Sequence, residues 1–173
     1  MSPPTRMTFD ASRGELRVVP EGAGRGYWQP VPANGYAEVL IDSSELESVH
    51  PFSIGRQLVP PGARVRLHAH DRAEEVFYIL KGSGTIEIDG QAHRVAPGST
   101  VYFGHNRQHT IINDGDEDLQ WVWFFLPGGL EEFFARIGRP RAAGDPTPAP
   151  FARPADVAAI ERETVFADLP AKP

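Results

Sequence analysis

The chain of 173 residues contains no cysteine, which removes disulfides, thiolate metal sites and cysteine nucleophiles together. It also lacks an apolar run long enough to cross a membrane. Its opening residues, Met1 to Arg6, lead into no apolar segment of the signal-peptide kind. A cytoplasmic protein without a membrane partner is therefore expected. Positive charge is in deficit: 17 Lys and Arg against 23 Asp and Glu leave a net charge of −6. That balance argues against a nucleic-acid partner, whose phosphates call for clustered cations. No internal repeat is present, which excludes a duplicated fold. The run Gly22-Ala23-Gly24-Arg25-Gly26 lacks the strand-to-helix context of a phosphate cradle and reads as a flexible loop.

Present in quantity are glycine and proline, 17 of each, so turns are frequent and elements short. Hydrophobic residues make up 40% and aromatics 10%, enough for the core of one self-sufficient domain. Seven prolines crowd the last quarter, from Pro140 to Pro173, and preclude regular structure over most of 138–154. That stretch reads as a surface-hugging tail or linker. Between 35 and 126 the pattern is one of short β-rich runs, at 36–42, 53–59, 64–70, 75–80, 85–88, 91–95, 99–103, 109–113 and 118–126. Asp89-Gly90 marks a type I′ hairpin and Pro61-Gly62 a type II turn. Leu130, Phe133, Phe134 and Ile137 follow helical spacing, and Ala155 to Glu163 suits a second short helix. The expected organisation is an N-terminal arm over 1–34 with a strand at Glu15 to Val19, a β-domain over 35–126, and a C-terminal helix and Pro-rich tail over 127–173. Trp121-Val122-Trp123-Phe124-Phe125 is uninterruptedly apolar. It suggests a strand buried on both faces, covered on its outer side by the C-terminal helix or by a second subunit.

All six histidines lie between positions 50 and 109. Alternate residues of a strand share a face, so His68 and His70 present two imidazoles to one side. Glu75 begins the next strand and His109 opens another. Three imidazoles and one carboxylate suit a divalent metal; the site would carry about +1 with one or two coordination positions free. Glu74 is the rival carboxylate, but it falls on the opposite strand face. His50 and His93 lie outside the pattern and are read as solvated side chains.

The spacing resembles the cupin family. Gly62, five residues, His68-Ala69-His70, four residues, Glu75, six residues, Gly82 reproduces the first cupin motif in full. Gly98, five residues, Gly104-His105-Asn106-Arg107-Gln108-His109, three residues, Asn113 matches the second, with Gly104 for the usual Pro and Asn106 for the usual Gly. These departures bear on the shape of the turn before His109, and Asn tolerates a left-handed position there. The resemblance covers about 35–126. It implies an all-β fold, a small antiparallel double-stranded β-helix or jelly-roll barrel, here followed by one or two short helices. It also implies a homodimer, with His68, His70, Glu75 and His109 as the metal ligands. The segment from Leu126 to Phe134 resembles the C-terminal extension of quercetinase-like cupins.

Around that set, Phe77, Ile79 and Ile111 share the ligand face and would make an apolar pocket wall that excludes water. Their plainer role is barrel packing. His105, in the altered turn, is a candidate for the pocket mouth or an ordinary loop residue. Arg64 and Arg66 share strand parity with the histidines. Either their strand starts exposed at the barrel rim, or Arg66 meets an anionic group such as a substrate carboxylate. The leading functional expectation is a dioxygenase acting on a small enol, phenol or hydroxy acid. It would use one divalent transition metal per chain, Fe(II) foremost, with Mn, Ni, Co or Zn as alternatives, and Glu75 both as ligand and as proton acceptor. The rival expectations are a redox-silent isomerase, lyase or decarboxylase, and a non-catalytic small-ligand-binding protein.

Overall fold

The computed structural model describes residues 14–169. Its strands are β1 Arg25–Trp28, β2 Tyr36–Asp42, β3 Ser53–Val59, β4 Arg64–His68, β5 Glu74–Lys81, β6 Gly84–Ile88, β7 Gln91–Val95, β8 Thr100–Phe103, β9 His109–Ile112, β10 Leu119–Leu126 and β11 Arg139–Arg141; the helices are α1 Leu130–Ile137 and α2 Val157–Glu163. The strands pair antiparallel in two sheets, ordered β11-β1-β2-β3-β10-β5-β8 and β4-β9-β6-β7. This is the double-stranded β-helix, with two short helices near the C-terminus.

The turns follow their sequence chemistry. Asp89 and Gly90 both take positive φ, 50° and 82°, and join β6 to β7 with Ile88 opposite Gln91. Strand alternation sorts side chains into an inner and an outer layer. On β10 the inner residues Leu119, Trp121, Trp123 and Phe125 are wholly buried, while Val122 and Phe124 on the outer face are half-buried. The expected two-sided burial is thus corrected to one-sided burial. The outer residues are partly shielded by their sheet neighbours, Phe52 lying 5.6 Å from Phe124 between ring centres. Nor does α1 cover the outer face. Its Phe134 sits 5.7 Å from Trp123, an inner residue, so the helix stops the open end of the barrel.

Two further expectations are corrected. Glu15 to Val19 form no strand; among the described residues the first strand is β1, which begins within the glycine-rich run and pairs with β2 and β11. Of Arg64 and Arg66 only Arg66 reaches the pocket that His68 lines, where it meets the Glu161 carboxylate; Arg64 does not. The β4–β9 pairing shifts register between Val65 and His68, with Val65 opposite Ile111 and His68 opposite His109. That bulge inserts one residue, so Val65 packs against the core while Arg64 is exposed.

The Pro-rich stretch is mostly without regular structure, β11 being its exception. It lies along the barrel: the Val31 N–H donates to the Phe151 carbonyl at 2.9 Å, and the Arg139 guanidinium sits 4.0 Å above the Phe151 ring centre. This course delivers α2 to the barrel mouth, against α1.

Candidate metal centre

His68 ends β4, His70 follows it, Glu75 lies in β5 and His109 opens β9. Folding brings one ligand-type atom from each within 4.8 Å of the others. All four are buried, His109 completely. Glu74, by contrast, points outward and is exposed.

The hydrogen bonds of the three rings decide which nitrogen faces the centre. His68 Nδ1 lies 2.8 Å from the Arg66 carbonyl, His70 Nδ1 3.1 Å from the Val165 carbonyl, and His109 Nδ1 2.9 Å from the Arg107 carbonyl. A carbonyl oxygen only accepts, so each Nδ1 carries the hydrogen and each Nε2 is left with a lone pair. Burial, reinforced by His109 and His70, holds the His68 ring well below its ordinary pKa, which keeps it neutral. His70 Nε2 and His109 Nε2 stand 3.5 Å and 3.4 Å from Glu75 Oε2, and all three atoms are buried without a hydrogen-bond partner. Each such orphan costs about 1–3 kcal/mol. A divalent cation satisfies them together, and neutral imidazoles with one carboxylate are the donors such an ion takes. The residues therefore fit the metal that their spacing suggested.

The pocket beside the cluster has about 60 Å³ of free space. Phe77 and Ile111 line it; the other lining groups include Gln29, Gln57, Arg66, Arg153, four residues of α1 and Phe166. Two of the expected pocket residues lie elsewhere. Ile79, one inward position further along β5 than Phe77, is wholly buried in the barrel core. His105 is exposed on the outer surface, in a separate cleft with His50 and Glu74. The reason is the turn itself: Asn106 takes the left-handed conformation, φ 61°, and its N–H donates to the His70 carbonyl at 2.6 Å. The turn's backbone thus braces the cluster while its side chains point outward. Asn113 is structural, wholly buried and donating to the Val59 and Glu117 carbonyls.

Sequence reading misses the contribution of the last thirty residues. The Phe166 ring lies 5.5 Å from His68, 4.9 Å from His70 and 4.3 Å from Phe133 between centres. The Ala167 N–H donates to the Ala69 carbonyl at 2.9 Å. Arg72 holds the same segment through the Thr164 and Arg162 carbonyls. A backbone carbonyl has no sequence signature, so nothing local marks Val165 as the partner of His70. Arg153 and Glu161 carry a weak signal, as charges just before and within a helix whose apolar face must be buried.

Comparison with known proteins agrees with this geometry. The cupin domain model matches residues 55–125. The chain is 33% identical to quercetin 2,3-dioxygenase of Bacillus subtilis over 141 residues, 75% of this chain and 40% of that one. It is 31% identical to dimethylsulfoniopropionate lyase DddW of Ruegeria pomeroyi over 111 residues, 58% of this chain and 70% of that one. It spans about half the length of several curated relatives that it matches. Among solved structures, a predicted oxalate decarboxylase of Thermotoga maritima aligns with a TM-score of 0.53 and 24% identity, covering 63% of this chain and 97% of that one. That likeness concerns the fold alone.

Proposed function

Given that the chain belongs to the cupin superfamily, we propose that it is a metal-dependent enzyme of small-molecule metabolism, a dioxygenase holding one divalent ion on His68, His70, Glu75 and His109. The observation that carries this reading is the convergence of lone-pair nitrogens and a carboxylate oxygen, buried and unpartnered, with each ring locked by a backbone carbonyl. Such order is costly unless a cation uses it. The chemistry such an ion supplies is polarisation of an ionised substrate oxygen and, where it is redox-active as Fe(II) is, electron exchange with dioxygen.

The chain's own residues do the rest. The three carbonyl acceptors fix ring orientation. Phe77, Ile111 and the α1 side chains keep water from the pocket, which strengthens every charge interaction inside it. Glu75 keeps a carboxylate at the centre, able to take a substrate proton. The similarity to a quercetin dioxygenase over three quarters of the chain supports oxygen chemistry. The similarity to a lyase, of which the chain covers more than two thirds, favours a second reading: redox-silent elimination or isomerisation at the same site.

One experiment separates them. Apoprotein is reconstituted with Fe(II), Mn(II), Ni(II) or Zn(II), and turnover of small enols, catechols and hydroxy acids is followed with and without oxygen. The dioxygenase reading expects oxygen-dependent turnover with redox-active ions alone. Equal activity of the Zn(II) form under nitrogen overturns it in favour of the lyase or isomerase reading.

A further inference from the structure

We propose that Arg66 and Arg153 form a carboxylate-reading wall of the metal pocket, so that the substrate is a small 2-hydroxy or 2-oxo acid. This deepens the metal-enzyme reading above and rests on it. Arg66 comes from β4, two residues before His68; Arg153 comes from the segment leading into α2. Both line the pocket that His68 and Glu75 line, together with the buried amides of Gln29 and Gln57. The remaining wall is predominantly apolar.

The charges on that wall do not balance. Arg66 and Arg153 both donate to a single oxygen, Glu161 Oε1 on α2. Arg66 spends another N–H on the Leu67 carbonyl at 3.2 Å; among the described residues, Arg153 makes no second side-chain hydrogen bond. A guanidinium keeps its charge at neutral pH, so two cations face one carboxylate, with most of Arg153's five N–H donors unspent. An uncompensated, partly buried guanidinium is costly, and a planar carboxylate is the anion that its fork matches. A divalent ion on the four ligands would add about +1 on the other side of the same pocket.

Size and spacing narrow the class. About 60 Å³ of free space holds about four or five water-sized groups, which suits an acid of about two to four carbons. Because Arg66 and His68 line the same pocket, an acid whose carboxylate meets the guanidinium wall can turn its α-oxygen towards the histidine cluster. A 2-hydroxy or 2-oxo acid meets both demands. A phenol or simple enol leaves the guanidiniums unanswered.

The test is calorimetric titration of the metal-loaded, full-length protein with glycolate and pyruvate. Hydroxyacetone serves as the uncharged counterpart and catechol as the phenol. The acids should bind, hydroxyacetone at least about tenfold more weakly. Arg66→Gln and Arg153→Gln should each weaken acid binding about 10- to 100-fold while elemental analysis shows unchanged metal content and catechol binding is unaltered. Glu161→Gln separates reading a ligand from merely holding α2: it frees both guanidiniums and should leave acid binding equal or tighter. The proposal is overturned if the arginine variants bind acids like the parent, if the parent binds none, or if Glu161→Gln loses acid binding as the arginine variants do. Should the parent take up no metal, the metal reading fails by itself. The arginine wall then stands if acid binding to the metal-free protein is still weakened by the two arginine substitutions, and falls if it is not.

Discussion

Each ligand histidine is specified twice, once by its own Nε2 and once by the carbonyl that takes its Nδ1 hydrogen. The second specification comes from near neighbours for His68 and His109, through Arg66 and Arg107, and from ninety-five residues away for His70, through Val165. Replacing His68 and His70 together by Ala removes two ligands but no large apolar side chain, and barrel packing rests on Phe77, Ile79, Trp121 and Trp123. Metal uptake, measured by elemental analysis, should fall from about one ion per chain to a small fraction of that. The far-ultraviolet spectrum should remain that of a folded β-protein. Full metal content in the double variant would show that the ligands lie elsewhere.

At the scale of elements, the site is built by pieces that meet from opposite ends of the chain. β4, β5 and β9 supply ligands, α1 stops the barrel mouth, and the stretch after α2 closes over the rings. Phe166 is the contact between these parts, buried against His68, His70 and Phe133. Phe166→Ala should cost about 3 kcal/mol in folding stability. By loosening the segment that carries the Val165 carbonyl, it should also speed metal loss to a chelator. Urea unfolding and chelator kinetics measure the two effects. Loss of stability with unchanged metal release would mean that the closing segment packs against the centre without helping to hold it.

For the whole molecule, the seven-stranded sheet ends at β8, and its outer face there is apolar. Tyr78, Leu80 and Tyr102 are 48%, 44% and 60% exposed, beside half-buried Val122 and Phe124. Since α1 serves the barrel mouth, nothing within the described residues covers this face, and an exposed sheet edge with aromatic neighbours is a natural surface for a second copy. Light scattering at micromolar concentration should give about twice the 19.0 kDa chain mass. Tyr78→Glu with Tyr102→Glu should return it to the monomer value without unfolding it. A monomer mass for the parent protein refutes the dimer.

What the sequence alone determined is what depends on short-range chemistry. Strand alternation and turn residues set the limits of β2, β3 and β7 to the residue, because a positive φ at Gly62 or Gly90 leaves the chain few choices. Alternation suggested that His68 and His70 share a face, and the motif spacing that resembles the cupin family added Glu75 and His109 to complete the four clustered residues. Only the tertiary structure decided where parity fails and what arrives from afar. The bulge between Val65 and His68 turns Val65 to the core and leaves Arg64 exposed, and register shifts of this kind follow from pairing energetics across strands rather than from either strand alone. Likewise the Pro-rich tail, which reads as surface covering, carries Arg153, Glu161, Val165 and Phe166 to the pocket. Those contacts span about ninety residues of chain, and no local propensity records a closure of that length.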